Sequence, residues 1–168
     1  ISTDYVLGGA KPAVEVYSED DEKSPQSVYG KTKLAGERAI EQQMGKKGRY
    51  YIFRTAWLYG KGGKNFVDTM INASKNGEVR VVNDQHGSPT YTEDLADIIY
   101  QAVYKQIPFG IYNATNEGFT TWYDFTKKIY ELAEIDCNVI GVSSEEYEAE
   151  SERKAAEKGE KRIVAPRP

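Results

Sequence analysis

VYGKTK, residues 28–33, is the most informative stretch of the chain. Tyr29 and Lys33 stand four positions apart, so on a helix their side chains share one face, one turn from each other. An ammonium beside a phenol favours the phenolate and draws the tyrosine pKa down from its reference of about 10. A phenol tuned in that way can deliver a proton to a carbonyl oxygen as hydride reaches the carbon. The same lysine can hydrogen-bond a cofactor ribose. A solvated helix face would also carry such a pair, so the surrounding residues have to decide.

Upstream stands ISTDYV, residues 1–6. Ile1 and Val6 bracket small and polar residues, a pattern that suits a short buried strand over residues 2–7. Thr3 and Asp4 then fall near its C-terminal end, where open α/β sheets place ligands. A Thr3 hydroxyl there can bind the same carbonyl oxygen as Tyr29. The alternative is that Ser2, Thr3 and Asp4 simply begin a turn.

Four motifs stand in one register: ISTDYV, SPQSVYGKTKLAGE (24–37), FRTAWLYGKGGKNFV (53–67) and VVNDQHGSPTYTEDLA (81–96). Together, from Ile1 to about Tyr147, they resemble the dTDP-4-dehydrorhamnose reductases, a family of extended short-chain dehydrogenase/reductases. The resemblance implies an α/β fold: the later part of a Rossmann-like domain plus a small sugar-nucleotide-binding lobe. It implies Thr3, Tyr29 and Lys33 as the catalytic set, with Tyr29 and Lys33 also meeting an NADPH or NADH cofactor. It implies Asp4, Tyr5 and Trp57 as neighbours of a dTDP-sugar. Asn65, Gln85, Pro89 and Thr90 join them on the substrate side, in loops where such residues also shape turns. The implied reaction is reduction of the 4-keto group of dTDP-4-dehydro-6-deoxy-L-mannose to dTDP-L-rhamnose. The resemblance leaves room for Mg2+ and for a homodimer. Leu7 and Gly8 replace the Phe-Asp usual in the family.

Composition narrows the field. A length of 168 residues is enough for a sizeable core and suggests one domain. With 22 basic and 26 acidic residues, the net charge of −4 argues against an electrostatic nucleic-acid footprint. No stretch approaches the ~20 apolar residues of a membrane span. The one cysteine, Cys137, excludes an intrachain disulfide and suits a reducing cytoplasm. No histidine lies near it, so a quiet, partly buried thiol is expected. The single histidine, His86, cannot build a His-rich metal site, and no metal ligands are assigned.

A dinucleotide site needs a strand, a Gly-rich turn and a helix N-terminus for the pyrophosphate. No G-x-G-x-x-G follows a strand here; GKGGKN (60–65) has the wrong spacing and reads as a loop. Family members carry that fingerprint before the equivalent of ISTDYV, and they continue past A-x-R-P, here 165–168. The chain therefore reads as a fragment, inactive by itself.

Elsewhere the pattern is regular. Residues 8–26 read as a turn-rich loop with Gly9 and Pro12, and its acidic run 19–22 as solvated. Ser24 or Ser27 caps a helix to about Met44, ended by Gly45 and Gly48. Tyr50–Leu58 is a buried strand. Asn65–Asn76 is a helix stopped by Gly77, and Glu78–Asn83 a strand. A loop then leads to a helix at 92–105 with Thr92 as N-cap. Gly110–Asn113 is a strand, Thr120 or Thr121 caps a helix to Ala133, and Val139–Val142 is a strand. Residues 145–162 hold twelve charged residues of eighteen, with Glu150–Lys154 and Glu157–Lys161 at helical spacing. They form a charged helical or disordered segment.

Two rival readings stand beside the reductase. One is another extended-family sugar-nucleotide epimerase or dehydratase, although the Asp-Glu pair of dehydratases is Asp4-Tyr5 here. The other is a non-catalytic fold mate that binds a partner, against which both Tyr29 and Lys33 weigh.

Overall fold

The computed structural model describes residues 1–8, 15–45, 48–157 and 159. In chain order the elements are β1 (Ser2–Thr3), α1 (Val28–Met44), β2 (Tyr51–Thr55), β3 (Leu58–Tyr59), α2 (Phe66–Ala73), β4 (Glu78–Val82), β5 (His86–Gly87), β6 (Thr90–Tyr91), α3 (Thr92–Tyr104), β7 (Gly110–Asn113), β8 (Thr120–Thr121), α4 (Trp122–Leu132), β9 (Asn138–Val142) and α5 (Ser144–Glu157). The chain divides into two compact units. Ile1–Leu58 and Thr90–Asn116 build the first; Tyr59–Pro89 and the described residues from Glu117 onward build the second.

In the first unit a parallel sheet runs in the order β1-β2-β7. Ser2 lies opposite Arg54 and Thr3 opposite Thr55. Phe53 packs with Leu95 and Ala102 of α3 and with Ala114, while Val6, Leu7 and Leu34 close a second cluster. The expected strand over 2–7 is shorter. After Thr3 the chain turns into a 3-10 turn, Asp4–Val6, because the Thr3 hydroxyl accepts the Tyr5 N–H and caps it. Ser27, not Ser24, caps α1 by accepting the Gly30 N–H at 3.0 Å, and Gly45 ends the helix at φ 67°. Thr92 is the first helical residue of α3 rather than its cap; the N-cap Tyr91 gives its N–H to Asn116 Oδ1 at 2.7 Å. The acidic run is not wholly solvated. The Glu19 carboxylate accepts the Asn113 N–H at 2.7 Å, and its carbonyl accepts from Arg54 Nη1 at 3.1 Å.

In the second unit β4 and β9 pair in parallel from Glu78↔Asn138 to Val82↔Val142. The core joins Val79 and Val81 to Ile129 and Tyr130 of α4, with Phe66, Met70 and Phe125 packed around them. Asn65 caps α2, and Gly77, left-handed at φ 77°, ends the 3-10 turn that follows it. The expected loop over 84–94 contains β5, which pairs antiparallel with β8. Thr121 caps α4. The charged segment is helical to Glu157, with Lys154 Nζ 2.7 Å from Glu150. Cys137 is half-buried. Gly9, Pro12, Lys161 and the A-x-R-P tail lie outside the described residues. Among the described residues, no helix is long and apolar enough to cross a membrane.

Candidate active site

Thr3, Asp4, Tyr5, Tyr29, Lys33, Trp57 and Thr90 all lie in the first unit. Thr3 ends β1, 5% exposed, with its hydroxyl donating to Asp4 Oδ1 at 2.9 Å. The one proton of that hydroxyl is thus directed at Asp4. Burial raises the Asp4 pKa above the usual carboxylate value, against the opposing bonds from the Thr3 hydroxyl and from the backbone N–H groups of Tyr5 and Asp4.

Tyr29 stands in the first turn of α1, 53% exposed. Its ring meets the Tyr5 ring edge-on, centroids 5.6 Å apart. One turn on, Lys33 Nζ donates to the Ile1 carbonyl at 2.7 Å, just before β1 begins. One of its three ammonium protons is used there, which leaves two donors for other acceptors. No hydrogen bond joins the Tyr29 hydroxyl to Lys33 among the described residues. The two are held on one helix face by spacing alone.

Trp57 follows β2 with φ 47°, the left-handed region that a bulky side chain rarely adopts. Its carbonyl accepts the Thr90 N–H at 3.2 Å, and Thr90 is fully buried. Conformations of this kind persist where surrounding structure enforces them and cluster at ligand sites.

Asn65, Gln85 and Pro89 belong to the second unit. Asn65 Oδ1 accepts the Asp68 N–H at 3.1 Å, and Nδ2 donates to the Gly60 and Gly63 carbonyls at 2.9 Å each. Gln85 Nε2 donates to Ser144 Oγ at 2.9 Å. Its neighbour Asp84 accepts both the Ser144 N–H, at 2.8 Å, and the Ser144 hydroxyl, at 2.6 Å. Burial pushes the Asp84 pKa up, but those bonds prevail and hold it below the usual range. The loop after β4 is thereby pinned to the start of α5. Pro89 is half-buried.

One feature escaped sequence reasoning. Arg54, 1% exposed, grips Glu37, 3% exposed, through Nε–Oε1 at 3.0 Å and Nη2–Oε2 at 2.7 Å, and the Ser2 hydroxyl donates to the same Oε1. The sequence offered only an acidic residue four positions beyond Lys33 and an arginine inside a run of strand formers, with nothing to pair them.

Known proteins supply the comparison. The chain is 46% identical over 143 residues to dTDP-4-dehydrorhamnose reductase of Streptomyces griseus, covering 81% of this chain and 45% of that protein. It is 42% identical over 156 residues to the spore coat polysaccharide biosynthesis protein SpsK of Bacillus subtilis, covering 92% and 53%. The solved dTDP-4-dehydrorhamnose reductase of Bacillus anthracis, in complex with NADP, superposes with a TM-score of 0.79 at 43% identity, over 87% of this chain and 50% of that one. The chain spans about half the length of the curated relatives it matches. It shares their α/β, extended short-chain dehydrogenase/reductase fold. The RmlD substrate binding domain model matches residues 1–158, and with these relatives it shows that the chain belongs to the RmlD substrate binding domain family.

Proposed function

We propose that this chain forms the catalytic and substrate-binding portion of a reductase that converts dTDP-4-dehydro-6-deoxy-L-mannose to dTDP-L-rhamnose. The observation that carries the reading is the grouping in one unit of Thr3 at a strand's C-terminal end, a half-exposed Tyr29, and Lys33 one turn beyond it. The names of the relatives support the substrate class, and the NADP complex of the Bacillus anthracis enzyme supports the cofactor.

Tyr29 gives its phenolic proton to the oxygen of the 4-keto group. Lys33 steadies the phenolate that remains, and its two uncommitted N–H donors suit the vicinal hydroxyls of a nicotinamide ribose. NADPH or NADH supplies the hydride when bound. Thr3 turns its O–H from Asp4 toward the carbonyl oxygen and adds a second donor to the developing negative charge. Asp4, Tyr5 and Trp57 line the hexose, and Thr90 holds the backbone of Trp57 in place. A cytoplasmic location suits the single cysteine of these 168 residues, Cys137.

The test is product analysis. The full-length protein is incubated with NADPH and dTDP-4-dehydro-6-deoxy-L-mannose, and the sugar nucleotide is identified by NMR. The expected product is dTDP-L-rhamnose with one NADPH oxidised per sugar. An epimerised or dehydrated product, or no turnover, contradicts the reading.

A further inference from the structure

The chemistry above makes no use of the two charged side chains most deeply sealed in the first unit. Arg54 and Glu37 are joined by two hydrogen bonds, and Ser2 adds a third donor to the carboxylate. Arg54 Nη1 is held by the Glu19 carbonyl. A buried ion pair is a poor source of stability, because removing two ions from water offsets most of their attraction. Apolar residues of similar volume serve as well or better. What such a pair can supply is register: sliding either partner would leave an uncompensated buried charge, which favours a single alignment.

The alignment at stake is that of α1. Tyr29, Lys33 and Glu37 follow one another at four-residue steps along it. The N-terminal strand meets them in a matching order. Lys33 Nζ donates to the Ile1 carbonyl, and the Glu37 carboxylate takes the Ser2 hydroxyl. Thr3 is the next residue. Arg54 stands opposite Ser2 in the sheet, and Thr55 opposite Thr3. A single carboxylate therefore touches both strands whose ends flank Thr3. A slip of α1 by one residue would move Tyr29 by about 1.5 Å along the helix axis, and a misplacement of about 1 Å can cost roughly 10²-fold in rate.

We propose that Glu37, clamped by Arg54, is a positioning residue that sets the register of α1 against β1 and so the placing of Tyr29 and Lys33 relative to Thr3. This rests on the reductase reading above.

The experiment uses the full-length protein with NADPH and dTDP-4-dehydro-6-deoxy-L-mannose. The variants are Glu37→Gln, the double substitution Glu37→Met with Arg54→Met, and Tyr29→Phe; Tm, kcat and both KM values are measured for each. The double variant replaces the ion pair by apolar chains of similar length. It is expected to keep a Tm near that of the unsubstituted protein, while kcat falls by about 10- to 100-fold and the sugar KM shifts by less than about threefold. Glu37→Gln is expected to change kcat in the same direction. A folded double variant with unchanged kcat overturns the proposal, as does a rate loss that merely follows the loss of folded protein. Should the double variant not fold, Arg54→Lys decides: it keeps the charge balance but loses the two-point grip on Glu37, and a folded variant with a kcat equal to that of the unsubstituted protein overturns the proposal. If Tyr29→Phe retains full rate, the reductase reading has failed. If Tyr29→Phe is inactive while the Glu37 variants run at full rate, only the positioning claim has failed.

Discussion

Gly30 lies so close to Tyr5 that a Cβ on it would stand 2.2 Å from the Tyr5 carbonyl oxygen. The first turn of α1 thus rests directly on the backbone that follows Thr3, and the glycine inside the VYGKTK stretch is what permits the approach.

Gly30→Ala should therefore destabilise the protein. In an open helix the same change gains roughly 0.5–1 kcal/mol. Here the neighbour is the Tyr5 backbone, which cannot swing aside, so the expected loss is about 1–3 kcal/mol. Gly36 in the same helix has nothing within 4 Å of its would-be Cβ, so Gly36→Ala should show the ordinary gain. Denaturant unfolding of both variants tests the contrast; equal signs would contradict it.

Acid stability should report two carboxyls, Glu37 and Asp4, that act in opposite directions. Burial pushes the Glu37 pKa up, but its bonds from Arg54 and Ser2 and the charges of Arg54 and Lys23 hold it below the usual value of 4.5. The folded protein then binds fewer protons at this site than the unfolded chain. Its contribution is present above the usual range and lost as pH falls toward the lowered folded value. Asp4 runs the other way. Its raised pKa means that ionised Asp4 costs stability at neutral pH, and that the cost is relieved as pH falls through the raised value toward 3.8. Asp4→Asn is expected to stabilise at neutral pH with the gain fading toward about pH 4, and Glu37→Gln to flatten the acid limb. Unfolding midpoints across this pH range check both, and a destabilised Asp4→Asn protein at neutral pH would be the contrary result.

Trp57→Asn separates strain from contact. Asn tolerates the left-handed backbone that Trp57 occupies at φ 47°. The stability loss should therefore be smaller than the ~3 kcal/mol usual for truncating a large packed aromatic. If the ring lines the proposed hexose site, its loss should raise the dTDP-sugar KM by about tenfold. An unchanged KM would remove Trp57 from the substrate side.

Asn65 is tied into its own turn through both side-chain polar atoms. Asn65→Ala is expected to cost about 1–2 kcal/mol as a lost cap and to leave the sugar KM within about twofold. A tenfold rise in KM would instead give Asn65 a direct contact with the sugar.

The parts of this architecture legible in the sequence are those written over a few neighbouring residues. A serine, Ser24 or Ser27, ahead of VYGKTK marks a helix start, and the run from Tyr50 to Leu58 marks a strand; the structure chooses Ser27 and splits the run into Tyr51–Thr55 and Leu58–Tyr59. The Glu37–Arg54 clamp was not legible, because its partners sit on different elements and only the packing of α1 on β2 brings them together. Glu19 looked like one member of a solvated acidic run for the same reason: its partner Asn113 is 94 positions away. The left-handed turn at Trp57 carries no glycine or asparagine to announce it. Thr92 looked like a cap by type, but the side chain that serves the start of α3 is that of Asn116, beyond the helix in sequence.

The central claim is that Tyr29 delivers the proton. Tyr29→Phe keeps the ring and its edge-on contact with Tyr5 and removes only the hydroxyl. In the full-length protein, with NADPH and dTDP-4-dehydro-6-deoxy-L-mannose, kcat should fall by about 10²–10⁴-fold, while the sugar KM moves little because the loss is felt in the transition state. A Phe variant whose kcat stays within about twofold of the unsubstituted protein would contradict the account and take the roles of Lys33 and Thr3 with it.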